Sequence, residues 1–100
     1  MFDIQSRGEG RIVISGRLDA SQARRAQEFI DGIENPREFD LARLEYISSA
    51  GLGILLRTQK RVMSQGGALR LVNVGNHIRD VFRYSGFDKI FVIEPSPGAD

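Results

Sequence analysis

Phe2 and Ile4 alternate with polar residues, Gly8-Glu9-Gly10 follows, and a β-branched run resumes at Ile12-Val13-Ile14. Alternation at period two on both sides of a glycine step predicts an antiparallel hairpin. The period then changes. Ala23, Ala26, Phe29, Ile30 and Ile33 recur at helical spacing, with Arg24, Arg25 and Glu28 toward water and with Asp19 and Ser21 supplying N-cap chemistry. Asn35-Pro36 is expected to break this helix, because proline disfavours helical geometry in its predecessor and has no amide N–H. The stretch EFDLARLEYI, with Phe39, Leu41 and Leu44 among charged residues, predicts a strand that ends at Ile47.

From Gly51 onward, Leu52, Leu55, Leu56, Val62 and Met63 predict a second helix carrying Arg57, Lys60 and Arg61 outside and stopping at Gly66-Gly67. ALRLVNV reads as a buried strand. A third helix is expected after a cap at Asn76, with Ile78, Val81 and Phe82 inward, Gly86 as its left-handed C-terminal residue and Phe87 folding back over its end. KIFVI predicts the last strand, and EPSPGAD a frayed polar tail. The order strand, strand, helix, strand, helix, strand, helix, strand predicts an α/β domain. Its mixed sheet has about five strands, the later ones parallel and linked by crossover helices, with about three to four helices in all.

One hundred residues suffice for one core and not for two. Fourteen basic and thirteen acidic residues are interleaved to a formal charge of +1, so no overall field draws in nucleic acid or anionic lipid, and proteins are the expected partners. The absence of cysteine excludes disulfides, thiolate metal sites and cysteine nucleophiles and is compatible with a reducing cytosol. No apolar run approaches the roughly 18 residues of a membrane span and no signal-like start is present, so a cytoplasmic location is expected.

The candidate chemistry sits in YISSAGLGILL, residues 46–56, where two serines stand between a strand-like and a helix-like run. Serine ahead of a helix is a favoured N-cap, worth about 1 kcal/mol, yet one cap needs one serine. A nucleophile elbow would need glycine on both sides of the serine and a histidine base; Ile47 stands two before Ser49, and the only imidazole is His77, beside the third helix's cap. SSAGLG also lacks the spacing and the lysine of a phosphate-binding loop. No catalytic residue, metal or cofactor is expected.

Taken in order, SGRLDAS, DLARLEYISSAGLGILL, GGALRLVNV and IRDVFRYSGFDKIF resemble the STAS domain, named for sulphate transporters and anti-sigma factor antagonists. The resemblance runs over nearly the whole chain, with the domain expected at residues 1–94 and a flexible tail at 95–100. It is most similar to the free-standing bacterial antagonists, and it implies that Ser49 is phosphorylated by an anti-sigma factor that is also a serine kinase. It further implies that a metal-dependent phosphatase removes the phosphate, and that the unphosphorylated form binds the anti-sigma factor so that sigma factor goes free. The implied partner surface comprises Asp19, Ser21, Arg24, Arg25, Tyr46, Ser48, Ser49, Ala50, Gly51 and Leu52. Ser48 replaces an aspartate common in the family, and the interval from Asp19 to Ser49 is a few residues short around ENPREF.

A phosphate at Ser49 would bring about −1.5 to −2 charges to a helix N-terminus, which favours anions by about 0.3–2 kcal/mol. In a docking surface, one like-charge pair about 5 Å apart at an effective dielectric near 20 costs roughly 3 kcal/mol before screening, or about a hundredfold in affinity. Two other classes remain open at this level. One is an unphosphorylated STAS accessory subunit of a lipid-transport ATPase or stress-sensing assembly; the other is a nucleotide-binding regulator. The arginines of the second and third helices, Arg57, Arg61, Arg79 and Arg83, are assigned to solubility along with Lys60.

Overall fold

The computed structural model describes residues 1–97. Its sheet comprises β1 (Asp3–Gly8), β2 (Arg11–Leu18), β3 (Glu38–Ile47), β4 (Arg70–Val74) and β5 (Val92–Pro95), in the order β1-β2-β3-β4-β5. The β1–β2 hairpin is antiparallel and the other three pairings are parallel. Parallel neighbours need crossovers, which are α1 (Ala23–Asp31), α2 (Ser49–Ser64) and α3 (Asn76–Ser85), the last followed by a 3₁₀ turn at Phe87–Lys89. One core cluster joins Ile12, Ile14 and Leu18 of β2 and Phe39 and Leu41 of β3 to Ile30, Leu55 and Phe82 of the helices. On the alternate positions of β2, Arg11 and Arg17 are exposed and Val13 and Ser15 half-exposed, so this sheet packs helices on one face and meets solvent on the other.

β3 explains why its sequence alternates imperfectly. Its register against β2 shifts twice, with Leu41 and Ala42 opposite Ile14 alone and Glu45 extra before Tyr46. The Asp40 carboxylate accepts a hydrogen bond from the Ala42 amide (3.0 Å) across the first bulge. Each bulge adds a residue, so the buried positions run Phe39, Leu41, Leu44, Ile47. Gly16 lies opposite Leu44 with φ +79°, and a Cβ there would stand 1.7 Å from the Met1 carbonyl oxygen; only glycine fits.

Several boundaries differ from expectation for identifiable reasons. The N-cap position of α1 is Gln22, without a side-chain cap bond, because the Asp19 carboxylate is occupied by Ser21. The helix already ends at Gly32, before Asn35-Pro36. α2 begins at Ser49 rather than Gly51, buries Ile54 on its inner face, and leaves Met63 58% exposed. α3 has Gly75, not Asn76, at its N-cap position, and the Asn76 side chain instead accepts a bond from Arg79 (3.1 Å). Gly86 is left-handed (φ 80°), and the Phe87 ring stacks 6.5 Å from Phe82, as the sequence suggests. β5 starts at Val92, since Lys89 closes the 3₁₀ turn. Glu94 and Pro95, placed in the tail by the sequence reading, belong to β5; residues 98–100 lie outside the described residues.

Three side chains on α2 bind the neighbouring elements, Arg57 while remaining exposed. Arg61 donates to the Ile30 and Ile33 carbonyl oxygens, capping the C-terminal end of α1, and Arg57 Nε donates to Gln27 Oε1 at 2.9 Å. Gln59, 3% exposed, donates to the Ile90 carbonyl (2.8 Å) and accepts from the Leu69 amide (3.1 Å), tying α2 to the segments that open β4 and β5. Replacing Gln59 by Leu strands a buried donor and a part-buried acceptor, so a loss of about 1–3 kcal/mol is expected by urea denaturation.

Candidate functional site: the serine turn at the head of α2

The turn is held by the ends of two strands. Leu18 and Ile47 are the last paired residues of β2 and β3, and the Ser48 amide donates to the Leu18 carbonyl oxygen (2.9 Å), carrying the contact one residue further. Ser48 is extended (φ −90°, ψ 175°), and its Oγ accepts from the Gly51 amide (3.2 Å) while its carbonyl accepts from Leu52 (2.9 Å). It is a serine N-cap satisfying an amide that the helix leaves unpaired. Ser49 is the first helical residue and is exposed; among the described residues its hydroxyl has no hydrogen-bond partner. The two hydroxyls therefore differ in kind: one is committed to the turn and the other is presented to solvent.

Gly51 is buried. A Cβ there would lie 2.7 Å from Ile47 Cγ1 and 2.9 Å from the Leu18 carbonyl oxygen, so its glycine lets α2 start directly against the strand ends. Its packing partners are this chain's own residues. Leu52 is half-buried against the core, and Ala50 is half-buried beside Ser49.

Asp19 follows Leu18 directly, which sets it beside the serine turn. Its Oδ1 accepts from Ser21 Oγ (2.7 Å) and the Ser21 amide (3.1 Å), a side-chain turn leading into α1. The Ser21 hydroxyl bond holds the carboxyl below its ordinary 3.8; desolvation opposes this, while the backbone amides of Ser21 and Gln22 and the charge of Arg17 reinforce it. Ser21 and Arg24 are exposed nearby, Arg24 in the first turn of α1.

Two expected surface residues point elsewhere. Tyr46 pairs with Arg17, whose guanidinium lies 4.3 Å from the ring centroid, on strand positions alternate to the buried Leu18 and Ile47. Arg25 turns to the N-terminal strand, over the Phe2 ring (5.2 Å) and 3.9 Å from Asp3. Asp19, Ser21, Ser48 and Ser49 thus form the group that the strand ends bring together. Arg17 was not singled out from the sequence; its outward parity was legible, but its pairing with Tyr46 depends on the second bulge of β3. His77 is exposed in the first turn of α3, and among the described residues no cluster of His, Cys, Asp and Glu could hold a metal ion.

Comparison with known proteins bears on the family and the fold. Residues 2–94 match the family described as Mlab, STAS domain, and the chain belongs to the STAS family. It is 38% identical over 85 residues to BtrV of Bordetella bronchiseptica, provisionally named an anti-sigma factor antagonist, covering 85% of this chain and 72% of that protein. An anti-sigma factor antagonist from Mycobacterium paratuberculosis superposes with a TM-score of 0.75 at 26% identity, over 95% of this chain and 85% of that one. The antagonist SpoIIAA is similar in fold at lower identity. Its unphosphorylated form has a TM-score of 0.72 at 22% identity, over 93% of this chain and 87% of that one. Its phosphorylated form, from Bacillus, gives 0.66 at 21% over 93% and 90%. Among the described residues no helix is long and apolar enough to cross a membrane.

Two measurements check this account of the turn. Ser48→Ala should lose about 1 kcal/mol in urea denaturation while Ser49→Ala stays within about 0.5 kcal/mol of wild type. The Asp19 carboxyl should titrate below 3.8 in carboxyl NMR, and Ser21→Ala should move it upward. Because the folded value is the lower one, the associated stabilisation is present above the unfolded pKa and is lost as pH falls through the folded one.

Proposed function

We propose that the chain is an anti-sigma factor antagonist, a cytoplasmic protein ligand without catalysis of its own, switched off by phosphorylation of Ser49. Unphosphorylated, it binds an anti-sigma factor that is also a serine kinase, and sigma factor goes free; a phosphatase acting on phosphorylated Ser49 restores binding. The observation that carries this reading is the division of labour in the turn. Ser48 Oγ is engaged with the Gly51 amide, whereas Ser49 is exposed and begins the helix. A kinase can reach Ser49 without dismantling the cap.

The chemistry of the position supports a switch that leaves the fold intact. The first-turn amides and dipole of α2 favour an added anion, so the antagonist tolerates its own modification. A partner packed over Ser49 meets a nearly dianionic group that it must desolvate or repel. The Asp19 carboxylate, kept ionised by its bonds to Ser21, already sets one negative charge at the same edge, which suits a partner surface carrying positive or hydrogen-donating groups. Asp19, Ser21, Arg24, Arg25, Tyr46, Ser48, Ser49, Ala50, Gly51 and Leu52 make up the proposed contact, with Arg25 and Tyr46 toward its edge and the buried Gly51 shaping the turn beneath it.

Incubation with the anti-sigma kinase of the same organism and ATP should label Ser49 and no other serine, and Ser49→Ala should abolish the label. Ser49→Asp should bind that kinase about ten- to a hundredfold more weakly than Ser49→Ala. Label persisting in Ser49→Ala, or equal affinity of the two variants, rejects the switch and leaves a constitutive binding module of the accessory-subunit kind.

A further inference from the structure

We infer that Gly53 is a specificity-determining residue, keeping clear the surface above Ser49 so that the backbone of the anti-sigma partner can close on the serine; this rests on the reading of Ser49 as the acceptor. The two glycines of the turn are glycine for different reasons. Gly51 has no room for a methyl group, since Ile47 and the Leu18 carbonyl fill the space. Gly53 has room. A Cβ there would meet only Arg57 Nη1, at 3.6 Å, which is ordinary contact, and its φ is not positive. Nothing in the fold requires glycine at this position, and glycine inside a helix is less stable than alanine.

Its place on α2 supplies the reason. Gly53 stands four residues after Ser49, on the same helix face and opposite the buried Ile54, Leu55 and Thr58. Each Cα–Cβ bond of a helix tilts toward the N-terminus, so a side chain at position 53 would lean toward the preceding turn on the side of Ser49, although a Cβ alone would meet no Ser49 side-chain atom within 4 Å. Transfer of a phosphoryl group needs the attacking oxygen within about 3–3.5 Å of the phosphorus with its approach aligned. A methyl or larger group beside Ser49 would raise the surface that the partner must approach to reach the serine. Here the helix gives up stability for access.

A series at this position separates the two effects. Gly53→Ala should raise the melting temperature by about 2–8 °C. It should also lower both the rate of Ser49 labelling by the anti-sigma kinase with ATP and the affinity for that kinase without ATP by about tenfold, with Gly53→Leu lower still. Lys60→Ala, exposed further along α2, should leave both readouts unchanged. A Gly53→Ala protein that is labelled and bound like wild type, or that melts lower than wild type, overturns the inference while leaving the assignment of Ser49 intact. If wild type is bound and not labelled, the phosphorylation reading fails and the binding series alone decides the role of Gly53. If wild type is neither bound nor labelled, both readings fall together.

Discussion

The hydrogen bond from the Ser48 amide to the Leu18 carbonyl oxygen is the contact on which the arrangement of this domain turns. It extends the parallel pairing of β2 and β3 beyond Ile47 and so sets the start of α2 against the loop that begins at Asp19. Parallel strands place their C-terminal ends at one edge of a sheet, and the loops leaving them are where such folds collect functional groups. Gly51 makes the contact possible by bringing the helix backbone within van der Waals distance of the Leu18 carbonyl. A residue with a Cβ would push α2 away from β2, separating Asp19 from the serines while leaving the rest of the sheet paired.

The same contact divides rigid from accessible chemistry. Ser48 has its amide, hydroxyl and carbonyl engaged, whereas Ser49, one residue on, has an exposed side chain. A modification at the cap itself would compete with the bond to Gly51 and loosen the helix start. At the first helical residue the anion instead lies near unpaired amides and the positive end of the helix dipole. Separating the cap from the proposed acceptor would allow a charge change to be read by a partner without being read by the core. Asp19 extends this logic, because its carboxylate is fixed by Ser21 rather than by a partner cation, so its charge remains available at the edge.

Much of this was legible in the residues. The hairpin, the three crossover helices, the end of β3 at Ile47 and the Gly86–Phe87 reversal follow from period and turn chemistry, which act over a few neighbouring positions. What was hidden depends on partners distant in the chain. The bulges of β3 displace its buried residues from strict alternation, and although Asp40 two before Ala42 has the chemistry of a side-chain turn, the strand opposite decides where the extra residues fall. Arg57 and Arg61 read as solvated, and Gln59 drew no reading, because the groups they bind lie ten to thirty-one residues away. Asp19 and Ser21 had N-cap chemistry, but they satisfied each other first and left α1 without a side-chain cap. The serine turn was found because its residues are contiguous, whereas the directions of Tyr46 and Arg25 were not, because each is set by a residue on another strand.

The polar face of the sheet bears on why the proposed switch would sit at the helix side of the strand ends. Arg70 bonds Glu38 of β3 at 3.0 Å and Glu94 of β5 at 2.6 Å, and Arg11 stands in register beside Glu38, so charges of opposite sign alternate across β2 to β5. Arg11 and Arg70 are exposed and Glu94 and Glu38 partly so, and such pairs contribute little individually. Their alternation nonetheless leaves no single-sign field on that face for a partner to read. Near Ser49 the balance differs: one carboxylate is held by neutral donors, and a phosphate would add charge of the same sign beside it. Charge added to the alternating face would be one among many, whereas at the serine turn it would stand beside the Asp19 carboxylate at the surface proposed for the partner, and that is a setting in which a single phosphoryl group can decide whether a partner stays bound.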